Sequence, residues 1–217
     1  MSGMQTLRGD YIKGKKKMLI HGFVNDSRVN GPGLRAVVYF QGCTLGCRDC
    51  WNPESHTFEG EERSIAEVTD LVVSAHHERA LEGVTFSGGE PMQQASALRE
   101  LIESLHDRLP KLSFGVYSGY AERELSSGRY WCRFELAQCA KQDTWRRIRT
   151  HLDFAVFGRY AAGRPSTLAL RTTTNQTLLL VSGRYGEGDF EPQEVEIHIG
   201  VQGRVQVTGF PTAGIPA

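Results

Sequence analysis

The sequence predicts an α/β fold: a partial, open (β/α)6 barrel with mainly parallel strands, followed by a C-terminal β-hairpin. Three observations lead there. Apolar, β-branched runs alternate with amphipathic helical stretches, the pattern of a mainly parallel sheet with right-handed crossovers. About six strands precede the final hairpin, fewer than the eight of a complete barrel, which typically needs about 250 residues; this chain has 217. Gly-bearing loops follow several strand ends, where α/β sheets carry their chemistry.

The elements follow in order. Met18 to Val24 and Arg35 to Gln41 read as strands joined by the turn-rich Asn30-Gly31-Pro32-Gly33. The run AVVYFQ is too apolar for an exposed edge. A loop with Cys43, Cys47 and Cys50 comes next. Ser64 and Glu67 form a capping-box pair, with Ile65, Val68, Leu71 and Ala75 at helical spacing. His76 and His77 close that helix, where a cation suits the dipole. Val84-Thr85-Phe86 is a short buried strand running into Ser87-Gly88-Gly89-Glu90-Pro91. Gln93 to Leu109 reads as a helix, with Leu98, Leu101, Ile102 and Leu105 on one face and Pro110 as its stop. Leu112 to Ser118 is a strand. Ala121 to Leu152 reads as mainly helical, interrupted near Ser126-Ser127-Gly128 and near Asp143. On that stretch Cys132 and Cys139 lie two turns apart on one helical face, as buried small residues. Asp153 to Gly158 and Thr177 to Ser182 read as strands. Glu194 to Ile199 and Arg204 to Thr208 form the hairpin around Gly200 to Gly203.

Composition narrows the partners. Lys plus Arg and Asp plus Glu both number 25, so the formal charge is zero and nothing draws the whole chain to nucleic acid or anionic membrane. No apolar run reaches membrane-spanning length. The first residues lack the apolar core of a signal peptide, and Lys13, Lys15, Lys16 and Lys17 read as a solvated basic arm over 1–17. A single domain over 18–211 and a tail over 212–217 complete the organisation. Five cysteines are an odd count, and three crowd into CTLGCRDC. Without an export signal this fits a metal centre in a reducing, cytoplasmic setting better than disulfides.

In the cysteine cluster, three residues separate Cys43 from Cys47 and two separate Cys47 from Cys50. Such spacing lets one loop wrap a metal centre, and soft thiolates suit iron–sulfur clusters and zinc. Three ligands leave one iron of a [4Fe–4S] cluster open, as a substrate-binding metal site requires. Two other readings stand beside this: a zinc site completed by Cys132 or Cys139, and unligated thiols.

Together, CTLGCRDC and SGGEP resemble the two signatures of radical S-adenosylmethionine (SAM) enzymes. MLIHGFVNDSRVNGPGLRAVVYFQGC resembles the opening strands of glycyl-radical-enzyme activases. CRDCWNPESH, FSGGEPMQQ, YSGY, LDFAVFGRY and LRTTTNQ resemble successive segments of anaerobic ribonucleotide reductase activating proteins. The likeness runs from about Met18 to Pro211, so 18–211 would be one radical SAM domain. It implies a [4Fe–4S] cluster on Cys43, Cys47 and Cys50, with SAM chelating the open iron. Reductive cleavage of SAM would yield a radical that abstracts a hydrogen atom from a glycyl radical enzyme. A low-potential flavodoxin or ferredoxin would supply the electron. SAM would be met by Ser87, Gly88, Gly89 and Glu90, with Glu90 accepting from its ammonium. Backbone near Asp49 and Trp51 would line the adenine side. Ser118 reads as a ribose contact or a plain Ser-Gly turn. Arg159 reads as a partner for the SAM carboxylate or a solvated surface residue. Asn175-Gln176 reads as a partner contact or a loop bridge.

The chain departs from the pattern at three places. Asp49 replaces an aromatic residue, Phe157 replaces an Asp, and Thr172 to Thr174 replace a Gly-Ser pattern. The last two fall in substrate-side segments, which keeps a second function open: a radical SAM enzyme acting on a small molecule or peptide, as in deazapurine-type biosynthesis. A binding or electron-transfer protein without SAM chemistry is the third.

Overall fold

A computed structural model describes residues 11–12, 15–191, 195–199, 203 and 205–209. Its strands are β1 (Tyr11–Ile12), β2 (Lys15–Ser27), β3 (Arg35–Phe40), β4 (Glu61–Ser64), β5 (Gly83–Gly88), β6 (Ser113–Ser118), β7 (Phe154–Phe157), β8 (Thr177–Leu180), β9 (Val195–Ile199) and β10 (Val205–Gly209). The helices are α1 (Ile65–Arg79), α2 (Ala95–Arg108), α3 (Glu122–Ser126) and α4 (Gln138–His151).

The fold is mixed α/β. One sheet runs β1-β2-β3-β5-β6-β7-β8, with β4 also paired to β2. Its centre, β3-β5-β6-β7, is parallel. Each parallel step has a helical crossover: α1 before β5, α2 before β6, α3 and α4 before β7. Both flanks are antiparallel, through β2 with β3 and β7 with β8. The six strands expected before the hairpin are present as β2, β3, β5, β6, β7 and β8, with the parallel run over four of them and antiparallel flanks. The reason lies in the connections. A short turn joins β2 to β3, and residues 158–176 carry no helix to return the chain in parallel. The C-terminal hairpin forms a separate antiparallel pair of β9 and β10.

The helices bury their apolar faces on the parallel strands. Val68 and Val72 of α1, Leu98, Leu101, Ile102 and Leu105 of α2, and Trp145 and Ile148 of α4 share a core with Phe86, Phe114 and Val116. The capping box of α1 forms as its sequence predicts: Glu67 N donates to Ser64 Oγ, and Ser64 N donates to Glu67 Oε2.

Several expectations change. β2 begins at Lys15, so part of the supposed basic arm is strand, and β4 is an additional edge strand hidden by its charged sequence EERS. Residues 1–10, 13–14 and the tail 212–217 lie outside the described residues, as does most of the hairpin turn. α4 runs unbroken through Asp143, which pairs with Arg146 one turn on. Cys132 and Cys139 do not share a helical face. Cys132 is buried in the non-helical stretch between α3 and α4, while Cys139 is exposed at the start of α4. Phe157 turns into the core and packs edge-on against Trp145 at 5.7 Å.

Candidate metal centre

Because β3, β5, β6 and β7 are parallel, their C-terminal ends open on one edge of the sheet. The cysteine loop leaves β3 and the Gly88-Gly89-Glu90 turn leaves β5. Ser118-Gly119-Tyr120 leaves β6, and Gly158-Arg159-Tyr160 leaves β7. The sheet thus brings together residues that lie more than a hundred positions apart in the chain.

Backbone contacts anchor the cysteine loop. Gly42 N donates to Ser55 O at 2.7 Å, and Cys43 N donates to His56 O at 3.0 Å. Buried amides brace it from beneath. Gln93 Oε1 accepts from Thr44 N at 2.9 Å, and its Nε2 donates to Thr44 Oγ1 and Tyr120 Oη. Gln94 Nε2 donates to Leu19 O and Gln41 O. The sequence reading assigned no role to Gln93 and Gln94. The available signal was a pair of uncharged amides following GGEP at the start of an apolar helix.

The Gly-Gly turn fits closely against this loop. Gly88 adopts φ 98, and a Cβ there would stand 2.5 Å from Phe40 N. A Cβ on Gly89 would stand 2.6 Å from Gly42 O and 2.9 Å from Ser55 O. Both contacts are backbone, so neither yields by rotating a side chain. Gly89→Ala is therefore expected to cost about 1–3 kcal/mol through overpacking. Denaturant unfolding measures that loss; an unchanged stability would show that the two loops are not in tight register.

Glu90 is 1% exposed and surrounded by donors. Its Oε1 accepts from Met92 N and Ser118 Oγ, each at 2.9 Å, and its Oε2 accepts from Gly119 N at 2.7 Å. Burial pushes its carboxyl up to about 7 against these donors and nearby Arg159. Ser118 thus spends its hydroxyl proton on Glu90, while Tyr120 N donates back to Ser118 Oγ. Ser87 stands half-buried on β5, in register with Tyr39.

Arg159 is neither lone nor merely solvated. Both of its terminal nitrogens meet Glu124, at 3.1 and 3.3 Å, and its guanidinium lies 5.5 Å from the Tyr120 ring centroid. Asn175 and Gln176 bridge a loop: Asn175 Nδ2 donates to Arg159 O, and Gln176 Nε2 donates to Gly158 O. Asp49 is exposed with φ 55, a left-handed conformation that Asp tolerates better than an aromatic residue does. That geometry gives a local reason for its departure from the expected aromatic. Trp51 Nε1 donates to Tyr160 Oη at 2.6 Å.

All five cysteines are free, and Cys43, Cys47 and Cys50 are partly exposed. The three thiols lie close enough to repel one another when ionised. Burial pushes Cys43 up to about 11 and also raises Cys47. Leu45 N donates to Cys43 Sγ at 3.5 Å. A bound cation would supply the positive charge that ionised thiols need in such surroundings. Among the described residues no three His, Cys, Asp or Glu side chains gather closely enough to hold one metal ion. With Cys132 buried below Met92 and Cys139 exposed on α4, neither stands as a fourth ligand on that loop. A cavity of ≈ 550 Å³ opens beside the loop, lined in part by Leu45, Tyr120, Trp131, Lys141 and Arg159.

Comparison with known proteins agrees with this chemistry. A pyruvate formate-lyase-activating enzyme of Clostridium pasteurianum is 34% identical over 111 residues, 48% of this chain and 46% of that protein. An anaerobic ribonucleoside-triphosphate reductase-activating protein of Vibrio cholerae is 28% identical over 105 residues, 46% of this chain and 68% of that protein. The chain thus spans about half the length of the first of these relatives. A crystal structure of QueE from Escherichia coli covers 55% of this chain and 56% of its own, at 16% identity and TM-score 0.37, too slight a likeness to carry an argument. The family described as "4Fe-4S single cluster domain" matches residues 29–179. This match takes in the cysteine loop, the Gly-Gly-Glu turn and all four parallel strands, and the chain belongs to that 4Fe-4S single cluster family.

Proposed function

We propose that this chain is a radical SAM activase that generates a glycyl radical on a partner enzyme, such as an anaerobic ribonucleotide reductase. The observation that carries the reading is the meeting of the cysteine loop with the Gly88-Gly89-Glu90 turn at one edge of the parallel sheet, where Gly89 N donates to Phe40 O and Glu90 N donates to Gly42 O. The names of the relatives support the activating role. In this reading Cys43, Cys47 and Cys50 hold the [4Fe–4S] cluster, and the open sheet curves as a partial barrel around the site. Together the cluster and SAM supply one-electron cleavage of a sulfonium and abstraction of a hydrogen atom.

The chain's own residues bind, orient and shield. Glu90, fixed by its donors, is the acceptor placed for an ammonium group. Gly88 and Gly89 let a ligand approach the backbone, with Ser87 beside them. Ser118 orients Glu90 and stands next to the ribose side. The backbone at Asp49 and Trp51 lines the adenine side. Arg159, held by Glu124, presents a cation for a carboxylate. Tyr120, Trp131 and Lys141 line the mouth through which the substrate reaches the site. A low-potential flavodoxin or ferredoxin supplies the electron, and the cytoplasm is the compartment that suits free thiols. No helix among the described residues is long and apolar enough to cross a membrane.

The test is anaerobic reconstitution with iron and sulfide, reduction with dithionite in the presence of SAM, and measurement of 5′-deoxyadenosine. Addition of a candidate glycyl radical enzyme is expected to yield a glycyl doublet by electron paramagnetic resonance (EPR) on that partner. A complete cluster that never cleaves SAM would overturn the reading. Cleavage stimulated by a small metabolite without a partner protein would instead favour action on a small molecule.

A further inference from the structure

The C-terminal hairpin packs on the body with its polar side. Strands β9 and β10 pair Ile199 with Val205, His198 with Gln206, Ile197 with Val207 and Glu196 with Thr208. Side chains alternate across a sheet, so the hairpin has one polar and one aliphatic face. Thr208 Oγ1 accepts from Asn30 Nδ2 at 2.7 Å and is hydrogen-bonded to Tyr39 Oη. Gln206 Nε2 donates to Phe23 O at 3.2 Å, and Glu196 Oε1 accepts from Arg28 N at 2.9 Å. These contacts fix a register that turns Ile197, Ile199, Val205 and Val207 outward. They are the four most exposed large apolar side chains among the described residues, at 62, 74, 57 and 52%. A slip of one residue would bury them and send the polar set to solvent. The hairpin is thus pinned in the orientation that leaves an aliphatic face open to water, and contiguous faces of that kind mark interaction sites.

The same bonds place that face relative to the site. Glu196 and Thr208 meet Arg28 and Asn30, between β2 and β3. Gln206 meets Phe23, which pairs with Val38, nearer the C-terminal end of β3. The pair Ile199–Val205 therefore stands at the end of the hairpin closer to the sheet edge from which the cysteine loop leaves. Val38 and Phe40 pack into the core beneath the helices. Tyr39, between them, points the other way, so the hairpin covers the helix-free face of the sheet.

Area decides between occupants. Four aliphatic side chains present on the order of a few hundred Å². Two such hairpins set face to face would bury far less than the roughly 1,200–2,000 Å² of a stable interface. This face alone would not hold a second copy of the chain, whereas a larger protein can cover it together with the adjoining sheet edge. We propose that the outward face of Ile197, Ile199, Val205 and Val207 is where the glycyl radical enzyme docks, through an uncharged aliphatic patch of its own. The inference rests on the activase reading above and adds the surface that holds the partner. All four side chains are uncharged, so the matching patch is apolar.

The fourfold variant Ile197→Thr, Ile199→Thr, Val205→Thr, Val207→Thr tests this, since Thr keeps the β-branched shape that suits a strand. Wild type and variant are reconstituted anaerobically, and the glycyl doublet on purified anaerobic ribonucleoside-triphosphate reductase is followed by EPR across reductase concentrations. Cluster content and SAM cleavage without the reductase should equal wild type. The KM for the reductase should rise on the order of tenfold or more, with kcat little changed, because docking rather than chemistry is lost. Val205→Lys alone, at the end nearer the site, should act in the same direction and keeps the test decisive if the fourfold variant does not fold. A wild-type KM in the folded variants would overturn the docking face. Sedimentation that finds a wild-type dimer and a monomeric variant would assign the face to a second copy and overturn it as well. A wild type that cleaves no SAM, or leaves no doublet on the reductase at any concentration, would overturn the activase reading itself, and the docking face with it.

Discussion

Cys43→Ala, Cys47→Ala and Cys50→Ala are each expected to give a folded protein that assembles no stable [4Fe–4S] cluster and cleaves no SAM. The three thiols belong to a loop outside the packed core, and each is partly exposed. Their removal therefore costs little burial, and the far-ultraviolet spectrum and unfolding midpoint should stay near those of the unsubstituted apoprotein. The metal chemistry has no such tolerance. Cys132 and Cys139 stand elsewhere in the fold and offer no substitute ligand. Iron and sulfide content after reconstitution, with 5′-deoxyadenosine release, checks the result. A variant that keeps a full cluster and wild-type turnover would show that its cysteine is not a ligand.

The second large effect lies at the opposite end of the parallel strands and concerns stability. Arg35 opens β3 and is fully buried. All five of its N–H groups are used: Nε on Thr85 Oγ1, Nη1 on Pro32 O and Ser113 Oγ, Nη2 on Val84 O and Ser113 O. Its guanidinium also lies 5.0 Å from the Phe154 ring centroid. One planar fork therefore ties β3, β5 and β6 together and packs on β7. Burial lowers its pKa to about 10, so it remains a cation at neutral pH. Arg35→Met keeps much of the volume but removes the buried donors that three carbonyls and two hydroxyls accept from. The expected loss is about 3–5 kcal/mol, a large share of the roughly 5–15 kcal/mol that holds a typical domain. The midpoint should fall on the order of 10 °C. Arg35→Lys should restore little, since an ammonium lacks the fork. Differential scanning calorimetry measures both variants, and a loss below about 1 kcal/mol would show that the network is dispensable. Any variant that folds should still assemble its cluster, because the staple lies away from the cysteine loop.

Much of the fold was legible because its causes are local. The Ser64–Glu67 cap, the α2 face of Leu98, Leu101, Ile102 and Leu105, and the short buried β5 are set by periodicities of a few residues. Strand direction was less legible. Whether β8 runs with or against β7 depends on the connection between them, and residues 158–176 carry no helical pattern that would announce a parallel return. β4 escaped notice because an edge strand paired on one side tolerates Glu61, Glu62 and Arg63. Phe157 departed from the expected Asp for a reason visible only in three dimensions: its side chain fills the space beside Trp145.

By itself the sequence determined the candidate donor set and the chemistry it offers. Three thiols within eight positions can serve one centre because the loop that carries them is short, and the Gly-Gly-Glu turn follows from residues adjacent in the chain. The tertiary structure alone decided who supports that centre. Ser118 and Gly119 on Glu90, Gln93 under Thr44, Tyr160 on Trp51, and Arg35 across three strands are meetings of distant segments. They exist because parallel pairing sends four strand ends to the same edge, and chain spacing carries no record of which loops will then lie within hydrogen-bond reach.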